Sequence, residues 1–136
     1  MSDAPKSLMD FIQEARARIQ ELDGEQLTRI LQEREDVVLV DIREHAEHEQ
    51  GHLKNAMLIP RGILEAAADL NYPKHVEALY TARNKPVVLY CATGGRSALG
   101  AVTLQLMGFQ EVYSLAGGIA KWQEENRPVA KEASYV

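Results

Sequence analysis

Apolar residues recur along this chain in two periods, and the switches between them lay out a succession of helices and strands. Leu8, Phe11, Ile12, Ala15, Ile19 and Leu22 fall at helical spacing after Ser7, which predicts an amphipathic helix over residues 7–20. A short strand is expected at Gln20-Glu21-Leu22. Asp23 and Gln26 then form a capping box for a helix through Leu31, with Leu27, Ile30 and Leu31 as its buried stripe. Val37-Val38-Leu39-Val40 is a continuous apolar run that reads as a strand buried on both faces. Gly51 closes a short helix, Ala56–Pro60 is the next strand, and Ile63–Ala68 is a short helix. Residues 69–86 are irregular, punctuated by Pro73 and Pro86, with one helix expected from Lys74 to Thr81. Val87–Tyr90 is a strand, Ser97–Met107 a helix capped by Gly108, and Val112–Leu115 the last strand. Ala116-Gly117-Gly118 leads into a helix containing Trp122, which is expected to plug the core, and Pro128 marks the expected end of ordered structure.

Strands that alternate with helices call for an α/β domain, here with a mainly parallel five-stranded sheet covered by helices on both faces. Ligands of such sheets bind beyond the carboxyl ends of the strands. Asp41, Arg61, Cys91 and Gly117 each follow an expected strand end, so that edge is the expected site.

Composition narrows the class. At 136 residues the chain suits one domain with a real core, and 46% apolar with 26% charged residues is ordinary for a globular protein. No apolar run approaches a membrane span. The net charge of −5 gives no electrostatic drive toward nucleic acid or anionic membrane, so any anion must be bound locally. A single cysteine excludes an internal disulfide and leaves a free thiol. The first residues lack an apolar signal core, and Asp3, Asp10 and Glu14 beside Arg16 and Arg18 do not suit an acid-poor transit peptide. A cytoplasmic location is therefore expected.

The candidate chemistry lies at Tyr90-Cys91-Ala92-Thr93-Gly94-Gly95-Arg96-Ser97, where a strand ends, a tight loop turns and a helix opens. Such a loop points backbone N–H groups inward without intrahelical acceptors and makes an anion cradle. Those groups, the helix dipole and Arg96 all favour a thiolate on Cys91, while Gly94 and Gly95 let the backbone close on a ligand. A lone cysteine at a strand end is more often a small core residue, and Gly-Gly is often only a turn. Their combination with Arg96 reverses that weighting.

Cys91-x-x-Gly94-x-Arg96 after an apolar strand resembles the active-site loop of single-domain rhodanese-like sulfurtransferases. Asp41-x-Arg43 followed by Gly51-His52, the Ile59-Pro60 pair, and the closing Gly117-Gly118 with a Trp-bearing helix resemble other segments of that family. The resemblance implies a rhodanese-like domain over residues 19–130, an N-terminal helical extension over 1–18 and a tail over 131–136. It further implies a Cys91 persulfide, with Ala92, Thr93, Gly94, Gly95, Arg96, Ser97 and Arg61 at the substrate and Asp41 and Arg43 behind the loop. The expected partners are a small sulfur donor such as thiosulfate and an acceptor that is cyanide, a small thiol or a protein thiol. No cofactor or metal is implied. Because Ala92 and Thr93 carry no charge, the loop attracts a dianionic donor less than one bearing Lys or Arg there.

Other readings stand beside this one. His45, His48 and His52 with Glu44, Glu47 and Glu49 could suggest a metal site, but the spacing is loose and Gly51 interrupts the helix; a solvated face with a structural His52 is favoured. Asp41 and Arg43 could pair with each other or with loop backbone instead of bracing the Cys91 loop. The N-terminal helix could dock on the domain's own flank or on a partner. A non-catalytic binding module of the family generally lacks the cysteine. Cysteine phosphatases place five residues between Cys and Arg, whereas four separate Cys91 from Arg96, and no aspartate general acid is placed nearby.

Overall fold

In a computed structural model describing residues 4–131, the chain forms one parallel sheet flanked by helices. The elements in order are α1 (Leu8–Arg16), β1 (Gln20–Leu22), α2 (Gly24–Glu33), β2 (Val38–Asp41), α3 (His45–Glu49) and β3 (Met57–Leu58). A single 3-10 turn at Arg61–Ile63 runs into α4 (Leu64–Ala67). Next come α5 (Glu77–Tyr80), β4 (Pro86–Tyr90), α6 (Gly95–Leu106), β5 (Glu111–Leu115) and α7 (Gly118–Glu124). The sheet order is β1-β5-β4-β2-β3 and every pairing is parallel.

All five residues of β4 are buried because it is central, with β2 on one side and β5 on the other. Its alternating side chains serve two cores. Val87, Leu89 and then Cys91 face Leu64, Leu79, Ala101 and Leu104 of α4, α5 and α6, while Val88 and Tyr90 face Leu27, Leu115, Ile119 and Trp122. Trp122 is thus a core residue, and its indole N–H donates to the Pro128 carbonyl at 2.8 Å. The chain stays ordered past Pro128, contrary to expectation. His52 and Ala130 exchange backbone hydrogen bonds of 2.8 and 2.7 Å, an antiparallel bridge that satisfies groups a free tail would leave to water. Beyond Lys131 the expected tail lies outside the described residues.

The first helix is shorter than its apolar spacing suggests. It ends at Arg16, and Ile19 leaves the helical face to pack against the α6-side core. Ser7 and Asp10 close a reciprocal capping box at its start, as do Asp23 and Gln26 for α2. α1 docks on the domain, lying against α6 with Ala15 buried, while Leu8, Met9 and Phe11 remain about half exposed or more. The helix of the irregular stretch shrinks to Glu77–Tyr80. α6 begins two residues before Ser97, at Gly95, because Gly94 adopts φ +104° and starts the turn itself. Among the described residues no helix is long and apolar enough to cross a membrane.

Candidate active site

The carboxyl edge brings three loops together: the one after β4, the one after β2 that carries α3, and the turn from β5 into α7. Cys91 is 1% exposed and its sulfur sits inside the first of these. The Gly94 N–H donates to Sγ at 3.1 Å and the Ser97 N–H at 3.4 Å, while the thiol donates to Ser97 Oγ at 3.5 Å. Ser97 is held in turn by Ser114 Oγ at 2.7 Å and by the Gly94 carbonyl at 3.2 Å. The loop's own carbonyls are tied down from behind. Ile119 N–H donates to the Cys91 carbonyl at 2.9 Å and Ala120 N–H to the Ala92 carbonyl at 3.0 Å. The free N–H groups that open α7 therefore fix the backbone that bears the sulfur. This close approach requires Gly118, where a Cβ would lie 2.5 Å from the Cys91 oxygen.

Arg96 does not point at the sulfur as a free cation. Its two terminal nitrogens grip both carboxylate oxygens of Glu47 on α3, each at 2.9 Å. These hydrogen bonds hold the Glu47 carboxyl down to about 2 against the smaller opposing effect of burial. Glu47 also accepts from the Glu44 N–H at 3.0 Å, so it caps its own helix and braces the cysteine loop.

α3 is anchored from beneath by a buried polar group centred on Asp41. Asp41 accepts from the Arg43 N–H, Nε and Nη2 at 3.0, 2.9 and 2.8 Å, lies 2.8 Å from His48 Nδ1, and accepts from the Tyr90 hydroxyl at 3.1 Å. Burial pushes the Asp41 carboxyl up, but the Arg43 and His48 hydrogen bonds outweigh it and leave the group below the usual carboxylate range. Arg43 Nη2 continues to the Gly51 carbonyl at 2.6 Å. Burial and the neighbouring Asp41 charge push the Tyr90 phenol up. Asp41 and Arg43 therefore pair with each other, and they reach the Cys91 loop only through Tyr90 and α3.

Two expectations need correcting. His48 is not on a solvated face: it is fully buried, bound to Asp41 and stacked on His52 with ring centroids 3.9 Å apart. Turned inward, it shares no coordination sphere with His45, whose Nδ1 lies 3.7 Å from Glu49. Among the described residues no cluster of His, Cys, Asp and Glu is arranged to hold a metal. Arg61, expected at the substrate, bonds Glu65 at 2.7 Å and Thr103 at 3.2 Å, two turns along α6 from the loop. It starts a 3-10 turn whose direction carries the side chain under α1 instead of toward Cys91.

Ala92 and Gly95 are half-buried, Thr93 is exposed and Gly94 is buried. Sequence reading did not assign Glu47 or Ser114 to the site, and it quoted Tyr90 and Gly118 in neighbouring segments without their contacts to Asp41 and to the loop carbonyls. Glu47 carried a local signal in its capping-box spacing from Glu44, and that signal did not point to Arg96.

Comparison with known proteins agrees with this architecture. The Rhodanese-like domain family matches residues 23–125. A protein named sulfurtransferase from Allochromatium vinosum is 33% identical over 111 residues, covering 82% of this chain and 94% of its own length. The tRNA uridine(34) hydroxylase of Cronobacter sakazakii is 35% identical over 101 residues, but this chain spans only 28% of that protein. Among solved structures, a Rhodopseudomonas palustris protein of unknown function, described as a possible tyrosine phosphatase, superposes with TM-score 0.86 at 30% identity, covering 96% of this chain and 98% of that one. A thiosulfate sulfurtransferase from Pseudomonas aeruginosa shares the fold at TM-score 0.76 and 20% identity, over 94% of this chain and 23% of that one. A family match that extends from the start of α2 to the end of α7 and takes in the whole cysteine loop makes this chain a member of the rhodanese-like family.

Proposed function

We propose that this protein is a sulfurtransferase that carries a sulfane sulfur on Cys91 and passes it to a thiophilic acceptor. The observation that carries the reading is the cradle itself, in which backbone N–H groups from Gly94 and Ser97 converge on a sulfur at the mouth of a twelve-residue helix. The Cys91 thiolate attacks the outer sulfur of a donor such as thiosulfate, the donor's S–S bond breaks, and sulfite leaves with the electron pair. Cyanide or a thiolate then attacks the terminal sulfur of the persulfide, and Cys91 departs as thiolate. Ala92, Thr93, Gly94, Gly95 and Ser97 shape the cradle. Arg96, neutralised by Glu47, acts mainly by bracing the loop.

The name of the Rhodopseudomonas palustris protein raises phosphate-ester cleavage as a second reading. Four residues between Cys91 and Arg96, and an arginine already gripped by a carboxylate, suit a single sulfur better than a phosphate ring. Intact mass after incubation with thiosulfate tests the proposal. One added sulfur that dithiothreitol removes is expected, absent in Cys91→Ser. Retained sulfur transfer in Cys91→Ser, or hydrolysis of p-nitrophenyl phosphate without a persulfide, would overturn it.

A further inference from the structure

The N-terminal helix stands over the cysteine loop and leaves a cleft of about 300 Å³ between them, lined by Met9, Ile12, Arg16, Glu21 and the loop residues Thr93, Gly94 and Gly95. This volume lies at the small end of the range for ligand sites. Cys91 itself does not line the cleft, but its floor adjoins the sulfur through Gly94, a lining residue whose N–H donates to Cys91 Sγ at 3.1 Å. The helix packs closely on the loop: a Cβ at Gly95 would lie 2.8 Å from Ile12 Cδ1, so Ile12 seats directly against the glycine. The opposite wall is pinned as well, since the Ala116 N–H donates to the Leu22 carbonyl at 2.8 Å, directly after Glu21.

We propose that this cleft is the acceptor subsite, and that it takes a small zwitterionic thiol of the cysteine class, with Arg16 receiving the carboxylate and Glu21 the ammonium. The proposal rests on the persulfide reading above. Its basis is the charge of the walls. Arg16 and Glu21 are the charged residues of the cleft and they oppose each other, with Nη2 3.1 Å and Nε 3.2 Å from the same Glu21 oxygen. A dianion such as thiosulfate meets attraction and repulsion in equal measure there, whereas a molecule bearing both charges complements both. The Arg16 side chain is 53% exposed and the Glu21 side chain 23%, so the arginine is the partner that swings out to admit a ligand, and a partly exposed pair of this kind contributes at most about 1 kcal/mol. Met9 and Ile12 offer apolar contact to the carbon skeleton between the charged end and the sulfur. In the transfer, the acceptor thiolate attacks the outer sulfur of the Cys91 persulfide. The S–S bond breaks, Cys91 keeps the electron pair, and the acceptor leaves as its own persulfide with no external oxidant or reductant.

The test measures kcat/KM with thiosulfate as donor and four acceptors: cysteine, 3-mercaptopropionate, cysteamine and 2-mercaptoethanol, which carry both charges, the carboxylate, the ammonium and neither. Each thiol's intrinsic reactivity is common to all proteins, so the change in a ratio between proteins isolates the subsite. Arg16→Gln is expected to lower the cysteine and 3-mercaptopropionate rates relative to 2-mercaptoethanol by about tenfold, the loss of one charge-assisted hydrogen bond. Glu21→Gln should act selectively on cysteine and cysteamine. Should Arg16→Gln unseat the helix, Glu21→Gln, on β1, carries the test. Unchanged ratios in both variants, with the Cys91 persulfide still detected by mass, would overturn the subsite and leave the sulfurtransferase reading standing; absence of the persulfide would overturn both.

Discussion

Replacing Gly118 with alanine tests whether the N-terminus of α7 holds the cysteine loop. Gly118 has φ +61°, in the left-handed region, where an L side chain costs roughly 1–2 kcal/mol. The added Cβ would lie 2.5 Å from both the Cys91 oxygen and the Ala92 carbonyl carbon, and these are backbone atoms that no rotamer change can move aside. Relieving that overlap costs roughly another 1–3 kcal/mol. The total of about 3 kcal/mol corresponds to a fall in Tm of roughly 10 °C for a domain of this size. The same displacement pulls Ile119 and Ala120 off the Cys91 and Ala92 carbonyls, so sulfur transfer should fall at temperatures where the variant remains folded. Gly62→Ala is the matched control: nothing lies within 4 Å of its Cβ position and no change is expected. Melting curves and thiosulfate:cyanide turnover at 25 °C, well below either melt, provide the readouts. A Gly118→Ala protein that melts and turns over like its parent would refute the claim that the turn after β5 sets the position of the sulfur.

Two further outcomes follow from α3. A double-mutant cycle on Glu47→Gln and Arg96→Gln should show coupling of about 1 kcal/mol in stability, because the pair is bidentate but about one-third exposed, and independent effects would show that the contact contributes nothing. Since the folded state depresses the Glu47 carboxyl from 4.5 to about 2, the stabilisation is complete above pH 4.5 and is lost as pH falls toward 2. The Tm gap between the parent and Glu47→Gln should accordingly close across that interval and be flat above it; a gap that widens on acidification would contradict the assignment.

The parts of this molecule that were legible in the sequence are those whose determinants are local. Val38–Val40 and Val87–Leu89 announce themselves as apolar runs because their strands are covered on both faces, and the capping box at Asp23 is read from residues three apart. Cys91, Gly94 and Arg96 were legible for the same reason, since loop and helix start form one contiguous segment. What the sequence could not supply is the identity of partners set by which connections cross the same sheet edge. Arg96 reads as a free cation until α3, 49 residues earlier in the chain, delivers Glu47 to it. His48 reads as a surface residue of a polar helix until Asp41, at the end of a buried strand, demands donors that only an inward-facing imidazole, the Arg43 guanidinium and the Tyr90 hydroxyl can provide. Arg61 errs in the opposite direction: it follows a strand end, as a binding residue should, yet β3 is the edge strand farthest from β5, and the turn after it carries the side chain to Thr103. In a parallel sheet the position of a residue along its strand is a sequence property, but the order of the strands decides which strand ends meet, and in this fold it is the β2, β4 and β5 ends that converge on the sulfur.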